Sequence, residues 1–134
     1  ILKLIEDLRQ SRRLAVIFIT HDFGVVADIA DRVIVMQTGE IVETGTADDV
    51  LLKPKHPYTQ GLLQSIPHPE RPVSELVGIP GYLPNLLDPP KGCRFQQRCS
   101  HAMDICQSQA PYNITISKTH KAACHLFTEG GDDA

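Results

Sequence analysis

Apolar residues fall at Ile1, Leu4, Ile5 and Leu8, with Lys3, Glu6, Asp7 and Arg9 off that stripe. This is the period of an amphipathic helix over residues 1–13, packed into a core by its apolar side. The pattern then changes. Residues 14–20, LAVIFIT, form a continuous run rich in β-branched side chains, as in a strand covered on both faces of a parallel sheet. The run stops abruptly at His21-Asp22. Asp22 suits a helix N-cap, and Phe23, Val26, Ala27 and Ala30 share one side of a helix reaching residue 30. Residues 32–36 and 40–44 predict two strands around QTGE, a turn in which Gly39 supplies a positive φ. Thr46 is placed to cap a short helix over 47–52, with Asp48 and Asp49 in the first turn, where acids complement the helix dipole. Residues 58–66 predict one more helix, apolar at Leu62, Leu63 and Ile66.

Helix, buried strand, helix, hairpin, helix is the closing part of an α/β layer. One buried strand and a hairpin cannot cover both faces of a doubly wound sheet. Residues 1–53 therefore read as the end of an α/β domain. Residues 54–91 read as a helix and a connector, since seven prolines lie between positions 67 and 90 and such a density favours extended chain. Residues 92–127 form a small irregular unit holding all four cysteines, and residues 128–134 a frayed tail.

Composition narrows the possible partners. The 134 residues are 42% hydrophobic and 22% charged, within the globular range. Thirteen basic against sixteen acidic residues leave a net charge of -3, which gives no electrostatic reason to expect nucleic acid. Aromatics make up only 5% and Trp is absent, so no base-stacking platform is expected. The apolar run at 14–19 is far short of the roughly 20 residues that cross a bilayer, and no stretch reads as a signal peptide. Membrane association would then go through a partner, and the expected compartment is the cytosol, where disulfides are rare. These features oppose a secreted disulfide scaffold.

Two constellations carry candidate chemistry. His21 closes a strand of a parallel sheet, at the carboxyl end where ligands bind in open α/β folds; the plainer reading is a strand-ending histidine satisfied by water. Cys93, Cys99, Cys106 and Cys124 follow a C-x₅-C-x₆-C-x₁₇-C spacing. Four thiols in a unit too poor in apolar residues for its own core suggest a metal site. Lys91, Arg94 and Arg98 would offset thiolate charge. Zinc generally uses tighter C-x₂₋₄-C knuckles, whereas wider loops suit an iron–sulfur cube; unligated structural or redox-active thiols are the remaining reading. His101, His120 and His125 are possible substitute ligands, more simply read as surface or supporting groups.

Several stretches taken together resemble the rear of the ATP-binding subunit of an ABC-type oligopeptide/dipeptide importer. IFITHD resembles the switch-histidine motif of ABC ATPases, and IADRVIVMQTGEIVETG the strand pair after it. HPYTQGLL resembles the opening of this subfamily's C-terminal region, and GCRFQQRCSHAMDIC with HKAACHLF its cysteine-bearing end. The resemblance covers essentially the whole chain. It implies the C-terminal end of an α/β nucleotide-binding domain followed by the cysteine-bearing region. It also implies His21 as the group contacting the γ-phosphate of ATP, with Mg²⁺ in the intact subunit, and the four cysteines as [4Fe–4S] ligands. The implied partners are transmembrane permease subunits, a second ATP-binding subunit and, indirectly, a peptide-binding protein, at the cytoplasmic face of the membrane. No G-x-x-x-x-G-K-[ST] loop occurs in these residues. The LSGGQ-type signature and the Mg²⁺-binding acidic pair are expected upstream, so the chain alone should not hydrolyse ATP. The competing expectation is a stand-alone metal-binding or regulatory module, or an inert truncated product.

Overall fold

The computed structural model describes residues 1–67 and 78–128. The hairpin forms as its pattern predicts. Strands β1 (Arg32–Gln37) and β2 (Glu40–Thr46) pair antiparallel. Both central residues of the turn between them have positive φ, 47° at Thr38 and 82° at Gly39. This left-handed pair is the type I′ arrangement, one of the two turns whose twist matches a two-residue hairpin. A bulge between Val35 and Met36 breaks the register, and beyond it Val42 and Glu43 are both buried instead of alternating.

Helix α1 (Leu2–Arg12) ends at Arg13 in the left-handed conformation. Helix α2 (Phe23–Ile29) starts at Asp22, whose carboxylate accepts from the Gly24 and Val25 amides. Helix α3 (Ala47–Leu52) has the full reciprocal cap: the Thr46 hydroxyl accepts from the Asp49 amide, and the Asp49 carboxylate accepts from the Thr46 amide. α3 lies against β2 so closely that a Cβ on Gly45 would come 2.8 Å from that of Asp49. Val35, Val42 and Val50 form the core here, with Val33, Tyr58 and Leu62 packed around them.

Helix α4 (Pro57–Gln64) takes His56 as its N-cap and Pro57 at its first turn. The connector expectation falls partly outside the described residues, which omit 68–77. Residues 78–90 carry no helix or strand, as their prolines dictate. After a short helix α5 (Ile105–Ser108), strands β3 (Asn113–Thr115) and β4 (Lys121–Ala123) close the chain. They do not stand apart. β4 pairs with β2 through Glu43 opposite Ala122 and Thr44 opposite Lys121, giving one four-stranded antiparallel sheet in the order β1-β2-β4-β3. The tail beyond residue 128 lies outside the described residues.

Two expectations fail. Residues 14–20 form no strand; Ile17 is 92% exposed and Ile19 94%. A ladder needs a neighbour, and the described sheet does not run alongside this segment. The apolar stripe of α1 also lies open at Ile1, Leu4 and Leu8. Arg9, hydrogen-bonded to Asp31 and paired with Glu6, makes its tie to the hairpin.

What joins the hairpin, α4 and the last strands is a carboxylate. Glu43 is fully buried; its Oε1 accepts from the Lys55 amide at 2.6 Å and its Oε2 from the His56 amide at 3.0 Å. His120 Nε2 reaches the same Oε1 at 2.6 Å. Truncation would leave a half-buried amide, a buried amide and a buried imidazole without that acceptor. Glu43→Ala is expected to lower the unfolding free energy by about 3–5 kcal/mol, measured by urea denaturation. Thr119→Val, which removes an exposed hydrogen bond to Asp49, should cost about 1 kcal/mol or less.

Candidate functional site

His21 is exposed and stands directly before α2. Its neighbours are locally ordered: the Asp22 amide donates to the Thr20 hydroxyl at 3.0 Å, and Asp22 caps the helix. The imidazole itself makes no hydrogen bond or ion pair among the described residues. Its expected role therefore rests on the sequence resemblance.

The four cysteines are reduced and sit in one neighbourhood. Cys106 is buried, the others half-buried. The Cys93 amide donates to the Cys106 carbonyl at 2.8 Å, tying the first loop to α5. Only glycine permits that approach at position 92, because a Cβ there would collide with the same carbonyl. Burial pushes the Cys93, Cys99 and Cys124 thiols up, Cys124 to about 11, and charge on the other cysteines pushes each further. Backbone amides oppose this: Phe95 and Gln96 donate towards Cys93, His101 towards Cys99 and Leu126 towards Cys124. Amides that favour the sulfur anion, with mutual repulsion among the thiolates, make a donor set suited in kind to a cation. The spacing does not match. Among the described residues, no group of three or more His, Cys, Asp or Glu side chains is arranged to hold a metal ion. The expected [4Fe–4S] or zinc centre is therefore not drawn by the geometry as it stands.

The histidines divide differently from expectation. His101 is exposed. His120, expected at the surface or in support, is buried against Glu43. His125 is buried, its Nε2 2.9 Å from the Gln109 carbonyl oxygen and its Nδ1 without a partner. Lys55 gives its backbone amide to the same Glu43.

The sequence reading missed the junction formed by His56, Tyr58 and Phe95. His56 Nδ1 accepts from the Tyr58 amide at 3.0 Å, capping α4. Phe95, from the loop between Cys93 and Cys99, lies edge-on to Tyr58 at 5.4 Å and tilted to His56 at 5.9 Å. Helix α4 and the first cysteine loop thus share one aromatic contact. A histidine directly before a proline-started helix was the available signal.

Residues 42–106 match the family described as the oligopeptide/dipeptide transporter, C-terminal region. Residues 42–106 belong to that family. The matched stretch runs from β2 through α4 and the first cysteine loops to Cys106, and so contains Glu43, His56 and Phe95. The chain is 41% identical to the dipeptide transport ATP-binding protein DppD of Caldanaerobacter subterraneus over 97% of its length, covering 40% of that relative. It is 51% identical to the oligopeptide transport ATP-binding protein OppD of Bacillus subtilis over 90% of its length, and 49% identical to OppD of Salmonella typhimurium over 83%. Those alignments cover 34% and 33% of the two relatives. The chain thus spans about 40% or less of these relatives. Among the described residues, no helix is long and apolar enough to cross a membrane.

Burial holds the His56 imidazole down to about 4, against the opposing pull of Glu43 and the hydrogen bond to the Ala123 backbone. Unfolded, this imidazole takes a proton near pH 6.5. Between pH 6.5 and 4 the unfolded state binds a proton that the folded state refuses, so stability falls as pH falls through that window. The loss is on the order of 3 kcal/mol. His56→Asn keeps a cap acceptor and should flatten the dependence by about one proton, read from urea midpoints at stepped pH.

Proposed function

We propose that this chain is the C-terminal portion of an ATP-binding subunit that energises di- or oligopeptide import at the cytoplasmic face of a membrane. The match of residues 42–106 to the peptide-transporter C-terminal region carries this reading, supported by similarity, over nearly all of this chain, to part of proteins described as dipeptide and oligopeptide transport ATP-binding proteins. ATP and Mg²⁺ would be gripped by parts of the subunit beyond these residues. Permease subunits, a second ATP-binding subunit and a peptide-binding protein are the implied partners.

In this reading His21 contacts the γ-phosphate. An imidazole there donates one hydrogen bond to a phosphoryl oxygen while its other nitrogen keeps the ring oriented. Phosphoryl transfer depends on such positioning and charge stabilisation. Asp22, engaged in capping α2, acts as a brace for His21 and not as a base. In the full-length subunit, His21→Ala is expected to cut ATP turnover at least a hundredfold, with nucleotide affinity changed less than about threefold. Turnover within twofold of wild type would remove His21 from the mechanism.

A second reading concerns the cysteines and is independent of transport. Backbone amides directed at the Cys93, Cys99 and Cys124 sulfurs, with Cys106 tied to the Cys93 amide through its carbonyl, favour Cys93, Cys99, Cys106 and Cys124 as ligands of a [4Fe–4S] cluster. Such a cluster would cross-link loops that have little apolar core. Anaerobic reconstitution should yield about four irons and four sulfides per chain with a broad visible absorption, lost in Cys106→Ser. A folded, colourless, metal-free protein would exclude the cluster, and stoichiometric zinc would replace it.

A further inference from the structure

The connector ahead of the first cysteine turns large apolar side chains out into water. Tyr82 is 92% exposed and Leu87 97%, with Leu83 and Leu86 exposed between them. Together they offer on the order of 600 Å² of surface, the size at which a patch marks a contact and not scatter. The loop that carries them is held at both ends. At its start Arg98 donates through Nε to the Pro80 carbonyl at 2.9 Å and through Nη2 to the Ile79 carbonyl at 3.4 Å. Ile79 in turn lies against Gly61 of α4, where a Cβ would come 2.8 Å from its Cγ1. Gly81 then turns the chain at a φ of 80°, a value open to glycine. Within the loop Asn85 Oδ1 accepts from the Leu87 amide at 3.0 Å, and Pro84, Pro89 and Pro90 each fix φ. At its end Gly92 is locked against the Cys106 carbonyl. Little conformational freedom is left to lose on docking, which favours binding through this loop.

A bilayer suits the patch poorly. The Tyr82, Leu83 and Leu86 amides make no hydrogen bond among the described residues, and hydrocarbon would leave them without acceptors. The net charge of -3 gains nothing from an anionic headgroup layer. The charges beside the patch suit a different occupant. Asp88 and Lys91 follow the leucines, both exposed and neither ion-paired among the described residues. Opposite charges three positions apart make the patch complementary to itself under a twofold rotation.

We propose that residues 82–88 form a twofold contact between two copies of this chain, the leucines closing on their counterparts and Asp88 of each copy meeting Lys91 of the other. Two such patches bury about 1,200 Å², the area at which specific interfaces begin. The contact is therefore a weak, reversible one. It does not depend on the peptide-transport reading.

Sedimentation equilibrium of the full-length protein without nucleotide tests it. A monomer–dimer equilibrium is expected with a Kd of roughly 1–100 μM. Leu87→Asp should weaken it at least about tenfold, and because Leu87 is exposed the variant leaves the fold intact. Asp88→Lys alone and Lys91→Asp alone should each weaken it about threefold, and the double reversal should restore it, a rescue that a self-contact gives. A protein that stays monomeric at about ten times that range, as when another part of the subunit covers the loop, overturns the proposal. So does a dimer unchanged in Leu87→Asp, or charge reversals without rescue. Flotation with phosphatidylcholine vesicles that Leu87→Asp abolishes would assign the loop to lipid and overturn it as well.

Discussion

A carboxylate without access to water organises this molecule. Glu43 could not be buried alone, since an unpaired charge in the interior is costly. Two backbone amides, from Lys55 and His56, and one imidazole, from His120, satisfy it. Those donors come from two separate parts of the chain, the adjacent Lys55 and His56 before α4 and His120 before β4. The requirement to satisfy one side chain therefore dictates where the loop before α4 sits and where the turn before β4 returns. The β2–β4 pairing and the aromatic contact of Phe95 follow from that placement.

Stability and chemistry divide along the chain as a result. The region from β1 to α4 has the valine core, the reciprocal cap of α3 and the Glu43 node. The amino-terminal helices have no fully buried residue, and Ile1, Leu4 and Leu8 at the first of them are exposed. The cysteine loops are held mainly by backbone bonds and by the close approach at Gly92. His21 lies in this least buried part.

Local chemistry was legible in the sequence, and non-local chemistry was not. Asp22 and Thr46 read correctly as caps because a cap engages amides two or three residues away. The QTGE turn was legible for the same reason, although Thr38 shares the positive φ assigned to Gly39 alone. Residues 14–20 have strand composition, yet composition cannot supply the neighbours a ladder needs. Strict alternation would put Glu43 on the same outward side as Ile41; the bulge at Val35/Met36 overrides it. His120 looked like a surface histidine because its partner is 77 positions away. The cysteines announced a common neighbourhood, but spacing along the chain could not reveal the distances between their sulfurs.

That separation of 77 positions has a consequence for the chain as it leaves the ribosome. At synthesis rates of about 5–20 residues per second, Glu43 emerges roughly 4–15 s before the imidazole that completes its shell. During that interval β2 has an unpaired edge and an acid that must stay hydrated, so the hairpin remains half-made and open to unwanted strand partners. The turn and strand around His120 thus act as a latch, and the Glu43 node is completed only when they arrive.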